Sequence, residues 1–144
     1  MMTGLLALLL VISTSGAAHA AGAAAGHDGK PTYEDFVRSV AGAWPYTASA
    51  ARRARILGGY ERVAPRMSKG EIAAAIGEPD YSQLTGPKTE PRPRGSMWVY
   101  FLGKRSELVN MRDPVVEIFF DDGDRATRIV PRNVDGLREK GSPL

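Results

Sequence analysis

The chain has 144 residues, 43% hydrophobic and 24% charged, with a net charge of +3 and a pI near 9.4. It has no cysteine, which excludes disulfides, thiolate metal sites and cysteine nucleophiles. The excess of base is too slight for a dedicated nucleic-acid binder, so no nucleic-acid partner is expected.

Leu5 to Ile12 is an apolar run, followed by small residues and Ala18-His19-Ala20. That ending fits the small-x-small cleavage pattern of a secretory signal, so residues 1–20 read as a signal peptide cut after Ala20. An uncleaved anchor is the alternative, although the run is short for a bilayer span. No cysteine follows the signal to carry a lipid. The expected product is periplasmic, not lipid-anchored, either free or peripheral to the outer membrane. It keeps ~124 residues, enough for one domain with a modest core. Residues 21–31 are Ala/Gly-rich and aperiodic, which predicts a flexible leader. His27 lies within it and reads as solvent-exposed.

Thr32 to Trp44 predicts an amphipathic helix. Tyr33, Phe36, Val37, Val40, Ala41 and Trp44 share one face, Thr32 and Asp35 form a capping box, and Pro45 ends the helix. The aromatic stripe follows the helix period and reads as core. Ala48 to Leu57 is rich in Ala and Arg and predicts a second helix, broken at Gly58-Gly59. The third helix has both ends written out. Ser68 is an N-cap, Glu71 completes its capping box, and Met67 with Ile72 forms a hydrophobic staple. Gly77 suits the left-handed position after the helix, and Pro79 blocks continuation. Two turns are marginal alone, so this helix is expected to dock through Ile72 and Ile76.

Glu78 to Ser96 holds four prolines and reads as a loop, with a short strand around Tyr81 to Leu84. Ser96 to Leu102 predicts a strand buried on one face and partly covered on the other, because its apolar residues fall on both parities. Val115 to Asp121 predicts a second strand, with Val116, Ile118 and Phe120 on one face. Asp122-Gly123 is a hairpin signal. Arg125 to Val130 returns as a third strand, and Pro131 stops it. The linker Gly103 to Pro114 is long for a hairpin and reads as mobile, and residues 132–144 read as a loose tail. The expected fold is a single α+β domain over 32–131 with its core motif at 60–130. It has two layers, with N-terminal helices packed on one face of a three-stranded antiparallel meander.

Between Arg38 and Lys69 there are seven basic residues against Glu61 alone, and between Asp113 and Asp124 five acidic residues and no base. The plain reading is a solvated helix face and an acidic turn. The sharper one is a basic surface, with Arg52, Arg53, Arg55 and Arg62, facing anionic lipid or an acidic partner. Catalytic signals are missing. Asp121, Asp122 and Asp124 lack the spacing of a calcium loop, and Gly58-Gly59 lacks the Lys-Ser/Thr of a phosphate loop. Glu78 and Asp80 flank Pro79 without the context of a glycosidase pair. No enzyme activity, metal or cofactor is expected.

The order of these motifs resembles the SmpA/OmlA family, the BamE-like small subunits of outer-membrane protein assembly. Met67-Ser68 and Ile72 match its helix entry, and Ile76-Gly77-Glu78-Pro79 its helix exit. Trp98-Val99-Tyr100 matches its Trp-x-Tyr strand, and Phe120-Asp121-Asp122-Gly123 nearly matches its turn. The likeness spans roughly Tyr60 to Val130. Arg66 stands where the family has Gly, and the anchoring Cys is absent. The resemblance implies an αα-βββ fold like that of β-lactamase-inhibitory proteins. It also implies a non-catalytic role in binding another envelope protein, with the outer-membrane assembly machinery as the first candidate. Trp98 and Tyr100, with Arg92 and Arg94 of the basic Pro-rich loop (which also holds Lys88), are the expected contact residues. Two other readings stand beside it: an inhibitor or immunity protein against a secreted enzyme, and an anionic-lipid binder acting through the basic 52–62 segment.

Overall fold

A computed structural model describes residues 27–86 and 94–142. The segment expected to be a signal peptide, most of the expected leader, Lys88 and Arg92 lie outside the described residues. Helix α1 (Tyr33–Ser39) opens on the expected capping box: the Asp35 N–H donates to Thr32 Oγ1 at 3.1 Å, and the Asp35 carboxylate accepts from the Thr32 N–H at 2.9 Å. The helix stops short of Trp44. Ser39 turns its hydroxyl onto the Phe36 carbonyl at 2.7 Å, competing with the backbone ladder, and Gly42 takes a positive φ of 83° that reverses the chain. A short strand β1 (Tyr46–Thr47) follows, then α2 (Ala50–Gly59), capped by Ser49, and a 3-10 turn over Tyr60–Arg62. Helix α3 (Lys69–Ile76) carries the full Ser68–Glu71 capping box, and Gly77 follows it at φ 92°. Gly59 lets α2 and α3 meet: a Cβ there would sit 2.4 Å from the Ala75 carbonyl oxygen.

The remaining strands are β2 (Tyr81–Thr85), β3 (Gly95–Phe101), β4 (Gly103–Lys104), β5 (Val115–Phe120), β6 (Ala126–Arg132) and β7 (Lys140–Gly141). They form an antiparallel five-stranded sheet in the order β2-β3-β5-β6-β7, while β1 and β4 pair separately. The three-stranded meander is thus overturned by two added strands. β2 matches the short strand expected around Tyr81 to Leu84, but Tyr-Ser-Gln-Leu-Thr carries too little alternating apolar signal to show that it joins the sheet beside β3. β7 has no local signal at all. Long-range polar contacts hold it: Lys140 Nζ donates to the carbonyls of Tyr60 (2.9 Å) and Val63 (3.0 Å), and the Tyr60 hydroxyl donates to the Arg138 carbonyl (2.7 Å). Val134 and Leu137 pack on the core, so the expected loose tail is largely fixed. Pro131 does not end β6 but pairs with Val116 inside it. β7 reaches only Arg128 and Ile129, so β6 is an edge at Pro131, where a missing N–H is tolerated.

The helices do not gather on one face. Ile72 and Ile76 of α3, Ile56 of α2, and Tyr60 and Val63 pack with Trp98, Tyr100, Val116, Ile118, Phe120 and Ile129 on one side of the sheet. Phe36 of α1 packs on the other side with Met97, Val99, Phe101 and Val115. The arrangement is α1, sheet, then α2 with α3, and every residue of β3 is buried. Both parities of β3 are apolar because both faces are covered. The leader also proves tied where it is described. Lys30 pairs with Glu78 at 2.5 Å, Asp28 pairs with Lys69, and the Ser82 N–H donates to the Pro31 carbonyl at 2.9 Å.

Candidate interaction surface

Trp98 and Tyr100, two of the residues expected at the contact surface, are in the core. Trp98 is 2% exposed and meets Phe120 edge-on at 5.2 Å. The ammonium groups of Lys30 and Lys69 lie 5.3 and 5.9 Å from its ring centroid. Tyr100 is fully buried and donates its hydroxyl to the Gly77 carbonyl at 3.1 Å, closing the end of α3. Burial pushes its phenol far above the usual range. Neither residue offers a surface to a partner, because the α2–α3 pair covers that face of β3. Arg94 is exposed, and its N–H donates to the Thr85 carbonyl at 3.0 Å.

The basic 52–62 segment is engaged inward. Arg52 pairs with Asp80 at 2.9 Å and donates to the Glu78 carbonyl. Arg53 donates to the Leu102 carbonyl at 3.1 Å. Arg55 and Arg62 donate to the carbonyls of Ala73 (3.3 Å) and Ala75 (3.2 Å). These carbonyls belong to the last turn of α3, where a cation interacts favourably with the negative end of the helix dipole; the Ala73 carbonyl also accepts the Gly77 N–H at 2.8 Å. The four guanidiniums therefore serve α3 and its neighbours rather than a common outward plane. Asp80 also accepts the Phe101 N–H at 2.6 Å. Burial pushes its carboxyl upward, against the pull of Arg52 and of that N–H.

The acidic turn is built on itself. Asp121 Oδ1 accepts the N–H groups of Gly123 (3.0 Å) and Arg125 (2.9 Å), and Asp124 pairs with Lys69 at 2.5 Å. Among the described residues no three His, Asp or Glu side chains are grouped to hold a metal ion. A cleft of about 640 Å³ beside this turn is lined by Pro65, Arg66, Asp121, Arg125, Ala126 and Thr127, with polar and apolar groups mixed.

A different region stands out, one the sequence reading passed over as a mobile linker. Lys104 and Asp113 are both buried, with 3.4 Å between the ammonium and the carboxylate. The Lys104 ammonium lies 5.3 to 6.0 Å from the ring centroids of Phe101, Tyr33 and Trp44, a cation held by aromatic faces. It also donates to the Leu108 carbonyl at 2.6 Å. The other Asp113 oxygen accepts the Arg105 N–H at 3.1 Å. The Tyr33 hydroxyl donates to the Glu107 carbonyl at 2.5 Å, and Asn133 Nδ2 to the Met111 carbonyl at 2.7 Å. The loop's carbonyls are drawn toward the body of the protein. Its apolar side chains point away: Leu108 is 71% exposed, Val109 78% and Met111 69%. Beside this ridge runs a cleft of about 460 Å³ along the outer face of α1, lined by Tyr33, Val37, Ala41 and Trp44 with Glu34, Arg38 and Glu107 at its rim. Three large apolar residues within four positions, in a segment with no strand partner, were the signal available in the sequence.

No family model, curated protein or solved structure matches this chain. The surface itself carries the functional reading.

Proposed function

We propose that the protein is an exported, non-catalytic interaction module of the cell envelope, and that its contact surface is the 105–112 loop with the cleft along α1. The observation that carries this reading is the pinned loop. Soluble proteins rarely leave clustered large apolar residues in water unless the cluster binds something. Among the described residues the other exposed large hydrophobic is Leu84, which lies apart on the edge strand β2. A loop whose backbone is already fixed loses little entropy when it docks.

The resemblance to the SmpA/OmlA family supports a binding role in the envelope. Arg66, at the family's glycine position, has a φ of 75°, the backbone conformation that glycine favours. At the ridge Glu107 is the one carboxylate, and beside it stand the alkyl chains, two arginines, the Ser106 hydroxyl and the Asn110 amide, whose oxygen accepts the Arg112 N–H.

A photoreactive residue placed at Val109 tests the proposal in cells that make the protein, with Glu61, exposed on the α2–α3 side, as control. The reading expects one dominant adduct at Val109 and none at Glu61. Its mass separates an envelope protein from a secreted enzyme. Equal, diffuse labelling at both positions overturns it.

A further inference from the structure

We infer that the protein this surface fits is a second copy of the same chain, paired about a two-fold axis so that the Leu108–Val109 ridge of each copy enters the α1 cleft of the other. The inference rests on the interaction-module reading and names its partner.

The first argument is shape. A convex apolar ridge and a concave apolar cleft lie side by side, and Glu107 belongs to both: it lines the cleft and precedes the ridge. An isologous interface needs such self-complementary neighbours, because one rotation then satisfies both contacts at once. A flat bilayer would engage the ridge and leave the cleft, with the half-buried Trp44 and Tyr33, without an occupant.

The second argument is charge. The cleft rim carries Glu34, Arg38 and Glu107, and the ridge is flanked by exposed Arg105 and Arg112. Neither sign dominates, so neither an anionic lipid surface nor a strongly charged protein is matched by the whole patch. A second copy is matched, since docking brings the ridge's arginines toward the rim's carboxylates. Such complementarity sets register and suppresses wrong partners. The aromatic and aliphatic wall of the cleft supplies the apolar centre that carries most of the energy in small interfaces.

The natural absence of cysteine makes the geometry directly testable. Leu108→Cys and Ala41→Cys are made as separate full-length proteins, both substitutions at exposed positions. Mixed and mildly oxidised, they are expected to give a covalent dimer, while Leu84→Cys mixed with Ala41→Cys gives none. Sedimentation velocity over a dilution series is expected to show wild-type dimer. Val109→Asp, with unchanged circular dichroism, is expected to weaken association more than ~30-fold, the scale of losing a hot spot. A wild-type protein that stays monomeric at every concentration, with no 108–41 disulfide, overturns the pairing. If that monomer still forms a specific Val109 adduct with a different envelope protein, self-pairing alone fails. If it forms none, the interaction-module reading fails with it.

Discussion

The Lys104 ammonium lies 3.4 Å from the Asp113 carboxylate with both side chains sealed from water. Removing one partner of a buried pair strands the other charge in a poor dielectric and costs about 3–5 kcal/mol. Lys104→Met and Asp113→Leu alone are therefore expected to lower unfolding free energy by that order in urea titrations. The double variant is expected to recover much of the loss, because two apolar groups replace two charges. It does not restore the donor to the Leu108 carbonyl. Amide exchange across 105–112 should rise in the double variant even where global stability returns. A double variant with unchanged loop protection would show that Lys104 does not pin the ridge.

Trp98 and Val109 separate folding from binding. Truncating a buried Trp costs about 3–5 kcal/mol, so Trp98→Ala is expected to unfold far more easily than the parent. Trp98→Phe should lose less, since the buried indole N–H has no protein acceptor to forfeit. Val109→Asp, at a site 78% exposed, should stay within about 0.5 kcal/mol of the parent while weakening association more than ~30-fold. Equal destabilisation by Trp98→Ala and Val109→Asp would contradict the burial pattern.

What could be read in the sequence was whatever local rules dictate. Both capping boxes, at Thr32 and Ser68, stand as their spacing implies. The docking of Ile72 and Ile76 follows from the shortness of α3. The inward faces of β3 and β5 follow from their parity. What could not be read depends on contacts distant in sequence. β7 exists because Lys140 reaches Tyr60 and Val63, about eighty positions away. Lys104 is buried because three rings from α1, the turn after it and β3 converge on it. Trp98 was mistaken for a contact residue because one strand's alternation cannot tell how many layers cover it. The arginines of α2 read as a free basic face because the acceptors that receive them, Asp80 and the carbonyls of Ala73, Glu78 and Leu102, lie 18 to 49 positions away in sequence. The candidate surface itself was missed, since periodicity gives a loop no reason to be rigid.

Acid and alkali are expected to act through different groups. Backbone N–H donation from Thr32 to Asp35 and from Ser68 to Glu71 holds both carboxyls below their usual 3.8 and 4.5. Their contribution is present above those unfolded values and is lost as pH falls through the folded ones. Asp80 has the opposite sign. Burial raises it above 3.8, so its contribution is full below 3.8 and is lost as pH rises through the folded value. Asp80→Asn is accordingly expected to show a steeper loss of stability on acidification than the parent. At high pH, burial pushes Tyr60 and Tyr81 from 10 up to about 12. Stability should fall as pH climbs from 10 through that value, with tyrosinate absorbance and unfolding rising together. Tyrosinate forming at Tyr60 or Tyr81 near pH 10 in a folded protein, read residue by residue, would refute the buried setting of these rings.

The two ends of α3 offer a test of what the arginines do. Ser68→Ala removes the N-cap oxygen and is expected to cost about 1 kcal/mol. Arg62→Gln removes the donor to the Ala75 carbonyl and is expected to cost about 0.3–1 kcal/mol, because the site is exposed and screened. Eight helical residues separate the ends by roughly 12 Å at 1.5 Å per residue, beyond the range where substitutions couple directly, so the two losses should add within about 0.5 kcal/mol. A guanidinium that served only a lipid surface would behave otherwise. Arg62→Gln would then leave stability in solution untouched and lower vesicle binding instead. Measured side by side, unfolding and vesicle co-sedimentation assign Arg62 to α3 or to a membrane, and the 3.2 Å contact with Ala75 predicts the former.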